Sequence, residues 1–314
     1  MHYFIFSFLF SFSSVFISVS GARIPRFDRA VFFGDSLTDN GNVYRLTNQT
    51  WPTSPYYQGR FSNGPIWVDQ VNIANKTDYA YAGGTTDSNL VQGYTKSNTV
   101  PVPGVRQQIS SYINDSSQTT INYTRTIYLI WAGGNDLLYD PTLNVTSVVN
   151  SYLNCVRDLI AFGAQYLIIF NAPPIQKFPY FSQQNQIALQ SALTNAINTA
   201  LSTSIGTLQT THSNISLQLY DIYTLMIKMT ANQSYPFANT IDPCWNTYSL
   251  NSTPNSCQDS SKYIFLDHFH ITSTAHQLIA DEINLLVSYS SGSTKTSAHL
   301  RVFSVLCAFM MIFC

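Results

Sequence analysis

The chain has 314 residues, 15 basic against 16 acidic, with a net charge of −1 and only 10% charged residues. With no basic patch, it lacks the clustered Lys and Arg that a nucleic-acid partner would demand. Asn, Ser, Thr and Tyr must supply its surface polarity, and its length suits one large domain with a sizeable core.

Tyr3 to Val19 is almost wholly apolar and aromatic and ends in Ser20-Gly21-Ala22. This pattern predicts a secretory leader over 1–21, cleaved after Gly21 or Ala22. The run is short for a membrane-spanning helix, which is the alternative reading. Ala30-Val31-Phe32-Phe33 reads as a fully buried strand, stopped by Gly34 and followed by Asp35-Ser36-Leu37-Thr38-Asp39. A Ser where a strand turns towards a helix is exposed at a sheet edge, beside free backbone N–H groups. Asp35 and Asp39 read as satisfying local backbone donors.

The next strand-like run is 78–82, continuing into Ala82-Gly83-Gly84-Thr85-Thr86, whose glycines let a backbone N–H approach a ligand. A third strand over 126–132 ends in Gly133-Gly134-Asn135-Asp136. The Asn135 amide suits an oxyanion, although an Asn here also suits a helix cap. Val145, Val148, Val149, Tyr152, Val156, Leu159 and Ile160 recur at helical spacing over 145–163, and Cys155 shares that apolar stripe as a buried thiol. A strand over 166–170, a helix over 183–205 and a strand over 215–220 follow. Cys244 and Cys257 bracket a Pro/Asn/Ser/Thr-rich loop, which in an oxidising compartment predicts a local disulfide.

Phe265-Leu266-Asp267-His268-Phe269-His270 then sets an acid three residues before a His, close enough to orient its imidazole. His268 and His270 also form a His-x-His pair, but no third ligand pattern supports a metal. His276, in a final helix over 274–287, reads as a structural His. Beyond it, Ser291-Gly292-Ser293, a polar spacer and apolar Val302 to Cys314 match a glycolipid (GPI) attachment signal over 293–314. A simply secreted protein with an odd tail is the alternative. The mature domain is then 22–292. Sequons at Asn48, Asn75, Asn114, Asn122, Asn144, Asn214, Asn232 and Asn251 are plausible glycan sites and mark surface positions.

Strands alternating with helices imply an α/β fold whose mostly parallel sheet is covered on both faces, with the site beyond the carboxyl ends of the strands. Gly-Asp-Ser-Leu, a Gly-Gly-Thr-Thr loop, Gly-Gly-Asn-Asp and Asp-x-x-His, in that order, resemble the SGNH (GDSL) hydrolases, serine esterases and lipases of flavodoxin-like three-layer fold. The likeness runs from about Phe32 to Ala280. Gly59 to Val68 and Asn171 to Pro174 narrow it to the fungal and plant branch, closest to the acetylesterases of carbohydrate esterase family sixteen.

That resemblance implies Ser36 as nucleophile, His270 as general base and Asp267 as the carboxylate that fixes the His tautomer. It implies the Ser36 N–H, Gly83 N–H and Asn135 amide as oxyanion donors. Gly84 is the alternative to Gly83, because the loop departs from the family's usual order. The expected enzyme is a monomeric serine ester hydrolase removing short acyl groups, above all acetyl, from small-molecule or polysaccharide esters. No cofactor or metal is implied, and membrane contact would come only through the GPI anchor. A lipolytic enzyme, such as a lysophospholipase or long-chain lipase, is the alternative. A non-catalytic cell-wall binding protein is the reading from another class.

Overall fold

The computed structural model describes residues 27–118, 120–231, 234–246 and 255–289. The expected leader, the GPI signal and the Asn232 and Asn251 sequons lie outside them. Five strands form one parallel sheet: β1 (Arg29–Gly34), β2 (Asn75–Asp78), β3 (Thr126–Trp131), β4 (Tyr166–Phe170) and β5 (Ser216–Tyr220). Their spatial order is β2-β1-β3-β4-β5. The chain lays β2 on one side of β1 and then crosses to begin β3 on the other. The loops leaving β1 and β3 therefore diverge and open a crevice at the carboxyl edge.

The pleat explains the continuous apolar runs. Phe32, Leu129, Trp131, Ile168 and Phe170 face one layer, while Val31, Phe33, Tyr128, Ile130, Leu167 and Ile169 face the other. With both faces covered, neither parity of residue can be polar. The second layer is made by α1 (Val105–Asp115), α2 (Val145–Phe162) and α3 (Ile187–Thr211). The first is made by the short helix Trp67–Gln70, α4 (Ile222–Ala231) and α5 (Ser273–Tyr289). Many of the aromatic residues fill these layers: Trp67, Trp131, Tyr128, Phe32, Phe33, Phe170 and Phe265 are among the largest fully buried side chains.

α2 keeps the expected limits for visible reasons. Asn144 accepts the Ser147 N–H at its start, and Gly163, at φ 110°, ends it in the left-handed conformation. Two expectations need correction. The strand read over 78–82 is β2, Asn75–Asp78, an exposed polar edge strand. Beyond it the Tyr79 and Tyr81 N–H groups still donate to Phe32 O and Gly34 O, while the Asp78 carboxylate takes the Ala80 and Asn40 N–H groups and turns the chain. The helix read over 183–205 is two helices, Pro179–Gln183 and α3, separated at Asn185, whose φ is 55°.

α5 is bound to the segment around Trp67. The Ser273 N–H donates to Asn63 Oδ1 and its hydroxyl to Pro65 O, and Asn284 Oδ1 accepts the Asn72 N–H. Cys244 and Cys257 form a disulfide, and Cys155 is a buried free thiol. Asn48, Asn75, Asn114, Asn122, Asn144 and Asn214 are exposed. Among the described residues no helix is long and apolar enough to cross a membrane.

Candidate active site

The crevice is built first at Gly34. A Cβ there would lie 2.4 Å from Trp131 O, so β1 and β3 approach as only glycine allows. Gln108, a buried polar residue on α1, accepts the Gly34 N–H at 3.0 Å and donates to Gly34 O at 2.9 Å. The chain then turns, with Asp35 O accepting the Thr38 and Asp39 N–H groups and Asp35 Oδ1 the Leu37 N–H. Ser36 is half-buried between buried neighbours. Its own N–H meets no acceptor among the described residues. Burial raises the Asp35 carboxyl to about 6, against the lowering effects of the Leu37 N–H and of His270.

The glycine loop is clamped from both sides by buried carboxylates. Asp39 accepts the Gly41, Asn42 and Val43 N–H groups and reaches across to the Ala82 N–H at 2.9 Å. Asp136 accepts the Thr86 N–H at 3.0 Å and its hydroxyl. Burial raises Asp136 to about 6, with the Thr86 bonds opposing. Between the clamps Gly83 takes a φ of 89°, and a Cβ there would sit 1.9 Å from Tyr94 O. The Gly84 N–H is used by Tyr81 O at 2.8 Å, whereas the Gly83 N–H meets no acceptor among the described residues.

Beyond β3, Gly133 occupies the N-cap of the helix Gly134–Tyr139 and gives no side-chain cap. Asn135 lies inside that helix, and its amide donates to Gly84 O at 2.9 Å rather than capping. An amide carries two N–H donors, so one is left after the bond to Gly84.

The fourth segment brings Asp267 and His270 together. His270 Nδ1 is 2.8 Å from Asp267 Oδ2, and Asp267 Oδ1 accepts the Phe269 and His270 N–H groups. With a carboxylate as partner, Nδ1 carries the hydrogen and Nε2 is available to take a proton. Asp267 is 1% exposed. Burial pushes its carboxyl up, but the His270 charge and the bonds from His270, Tyr56 and Phe269 outweigh this and hold it at about 2. The Phe61 ring covers His270 at 5.2 Å between centroids. His270 is close enough to Asp35 for its charge to act on that carboxyl, which joins this segment to the Ser36 turn.

The sequence pattern of the GDSL-like Lipase/Acylhydrolase family matches residues 31–283. The chain belongs to this family. The GDSL chain is 24% identical over 292 residues to the thermolabile hemolysin of Vibrio parahaemolyticus, covering 87% of itself and 67% of that protein. It is 29% identical over 179 residues to the phosphatidylcholine-sterol acyltransferase of Aeromonas hydrophila, covering 54% of itself and half of that protein. With the acetylesterase of Hypocrea jecorina it shares 27% identity over 171 residues, 48% of this chain and 49% of the other.

Other residues of this GDSL hydrolase have different surroundings. His276 is fully buried, neither ring nitrogen has a protein partner, and burial with the nearby His270 charge drives it down to about 3. Among the described residues no three His, Cys, Asp or Glu side chains gather as a metal site, the His268–His270 pair included. The sequence reading gave no part to Gln108, Asp136 or Tyr56. Asp136 carried a signal, being the last residue of Gly-Gly-Asn-Asp. Gln108 and Tyr56 touch the site only through the fold.

Proposed function

We propose that this GDSL hydrolase cleaves short acyl esters, above all acetyl esters of carbohydrates, through a Ser36 acyl-enzyme. His270 removes the Ser36 proton as the hydroxyl attacks the ester carbonyl. Asp267 holds the imidazole and supports the imidazolium that forms. The oxyanion is received by the Ser36 N–H, the Gly83 N–H and the second N–H of Asn135. His270 returns its proton to the leaving alcohol, and water then releases the acid by the same path in reverse. The observation that carries this reading is the set of unused donors at Ser36, Gly83 and Asn135, together with a buried Asp267 paired to His270, whose charge acts on Asp35 beside Ser36.

The acetylesterase likeness and the segments Gly59–Val68 and Asn171–Pro174 support acetyl and carbohydrate. The hemolysin and acyltransferase likenesses favour a lipolytic second reading. Two measurements test the proposal. An active-site-directed phosphonate should label Ser36; an unlabelled Ser36 overturns the nucleophile. Across nitrophenyl esters of increasing chain length, kcat/KM should peak at acetyl and fall at least about 10-fold by octanoyl. A peak at octanoyl or longer makes the enzyme lipolytic.

The sequence further supports a secreted, N-glycosylated monomer held at the cell surface by a glycolipid. Phospholipase C specific for inositol glycolipids should then release it from cells. Recovery wholly in the medium with residues 293–314 intact overturns the anchor.

A further inference from the structure

The Asp267–His270 pair has a third member that comes from far away in the chain. Tyr56, 211 residues before Asp267, donates its phenol hydrogen to Asp267 Oδ2 at 2.6 Å. This is the same oxygen that lies 2.8 Å from His270 Nδ1. The bond is short and charge-assisted, the kind that fixes a carboxylate strongly. His270 Nδ1 lies 3.0 Å from Asp267 Oδ1 as well, but Oδ1 also takes two backbone N–H groups, whereas the phenol is the partner that Oδ2, the nearer oxygen, shares with the imidazole.

Tyr56 is itself held in place. Its ring meets Trp245 edge-on at 5.3 Å and Phe61 at 5.8 Å. Trp245 directly follows Cys244 of the disulfide, and the Cys244 and Trp245 N–H groups donate to Phe265 O and Leu266 O, the two residues before Asp267. The cross-linked strand pair Trp245–Asn246 and Asn255–Ser256 thus braces the segment that bears Asp267 and the ring that bonds its carboxylate.

We infer that Tyr56 is a positioning residue for the reaction, acting on His270 through the Asp267 carboxylate and through its own ring, which meets the imidazole edge-on at 6.4 Å. The inference rests on the Ser36–His270–Asp267 reading given above. The phenol draws charge from Oδ2 while locking its direction. Without it the carboxylate holds the imidazole less well but stabilises its protonated form more. The charged or titratable groups facing the pair are Asp35 at the end of β1, His268 beside Asp267, His276 on α5 and Tyr56 itself.

The test compares Tyr56→Phe, which keeps the ring, with Tyr56→Ala in the full-length protein. For Tyr56→Phe, kcat on nitrophenyl acetate should fall about 10-fold with KM unchanged, as for loss of a partner that orients a reactive group. The acid limb of its kcat/KM profile should move to higher pH. The low-field proton resonance of His270 Nδ1–H should move as well, a readout that needs no turnover. Tyr56→Ala should lose more. If Tyr56→Phe keeps wild-type kcat, pH limb and resonance, the hydroxyl has no such role and the inference is overturned. A change in KM alone would make Tyr56 a substrate contact, and a lowered melting temperature with an unmoved limb would make it merely structural; either overturns the inference. If the phosphonate fails to label Ser36 in the wild type, the proposed function fails instead, and the resonance shift still decides the Tyr56–Asp267–His270 link.

Discussion

In the proposed mechanism Ser36 and His270 form one working unit, because neither a Ser without its base nor a base without its Ser can react. Ser36→Ala, His270→Ala and the double variant should therefore lose similar activity, on the order of 10⁶-fold by analogy with serine proteases. Asp267→Ala leaves nucleophile and base in place and should lose about 10⁴-fold. Asn135→Ala removes one donor and should lower kcat about 10²–10³-fold with KM nearly constant, since that bond strengthens in the transition state. Kinetics on acetyl nitrophenyl ester, with folding checked by circular dichroism, decides these. A folded His270→Ala of near-normal turnover would reassign the base. The sequence drew attention to these four because Ser36 and Asn135 follow glycine-bearing turns where apolar runs stop and Asp267 stands three residues before His270, while the roles proposed for them come from the family resemblance. Tyr56 drew none: its contact spans 211 residues and rests on no spacing rule.

The glycine loop makes the sharpest demand on a single element. Gly83→Ala puts a Cβ 1.9 Å from Tyr94 O at a φ of 89°, so either the loop or the antiparallel pair Gly93–Thr95 and Val100–Val102, which carries Tyr94, must move. Activity should fall at least about 100-fold, with a stability loss of about 1–3 kcal/mol. Gly134→Ala is the control. Nothing lies within 4 Å of its Cβ, and Ala in a helix should be neutral or stabilising by up to about 1 kcal/mol. Equal damage from both would refute the steric account. The Cys244–Cys257 link closes a short loop worth about 3 kcal/mol in the chain-entropy model. Unreduced peptide mapping should recover that pair with Cys155 free. β1, β3 and β4 could be read because burial on both faces leaves unbroken apolar runs. β2 could not, since an edge strand of Asn-Lys-Thr-Asp has no such signature, and the apolar Tyr79–Ala82 beside it drew the boundary forward. α1 escaped notice because one of its buried positions is Gln108, there to bond Gly34 rather than to fill the core.

Across the whole molecule, buried ionisable groups predict an acidic stability optimum. Asp35 and Asp136, raised to about 6, hold protons in the folded state that the unfolded chain releases, so they favour folding as pH falls from 6 towards 4. His276, depressed to about 3, acts in the opposite sense from pH 6.5 down, and Asp267, held at about 2, joins it below about pH 4. Burial raises Asp39 and Asp78 in the same sense as the first pair and lowers His268 in the sense of His276, so four carboxyls oppose two histidines above pH 4. Below about pH 4 the carboxylates held down by their hydrogen bonds, Asp28, Asp140, Asp221 and Asp259, join Asp267 in removing stability as they protonate. The melting temperature should peak near pH 4–5 and fall steeply beneath; a steady decline from pH 7 to 5 would contradict this. His276→Leu removes an unpartnered buried group and should stabilise by about 1–3 kcal/mol, more at pH 4 than at pH 7. The three-layer architecture and the site at one edge of its sheet were legible from the alternation of strands and helices. The bonds from α5 to Asn63, Pro65 and Asn72 were not, yet they set an order in time. During synthesis Ser36 leaves the ribosome well before Asp267, His270 and the helix that closes the first layer. Contacts so distant in sequence form slowly and late. If His270 is the base proposed above, the growing chain carries its serine unactivated until the segment bearing His270 and α5 has been made.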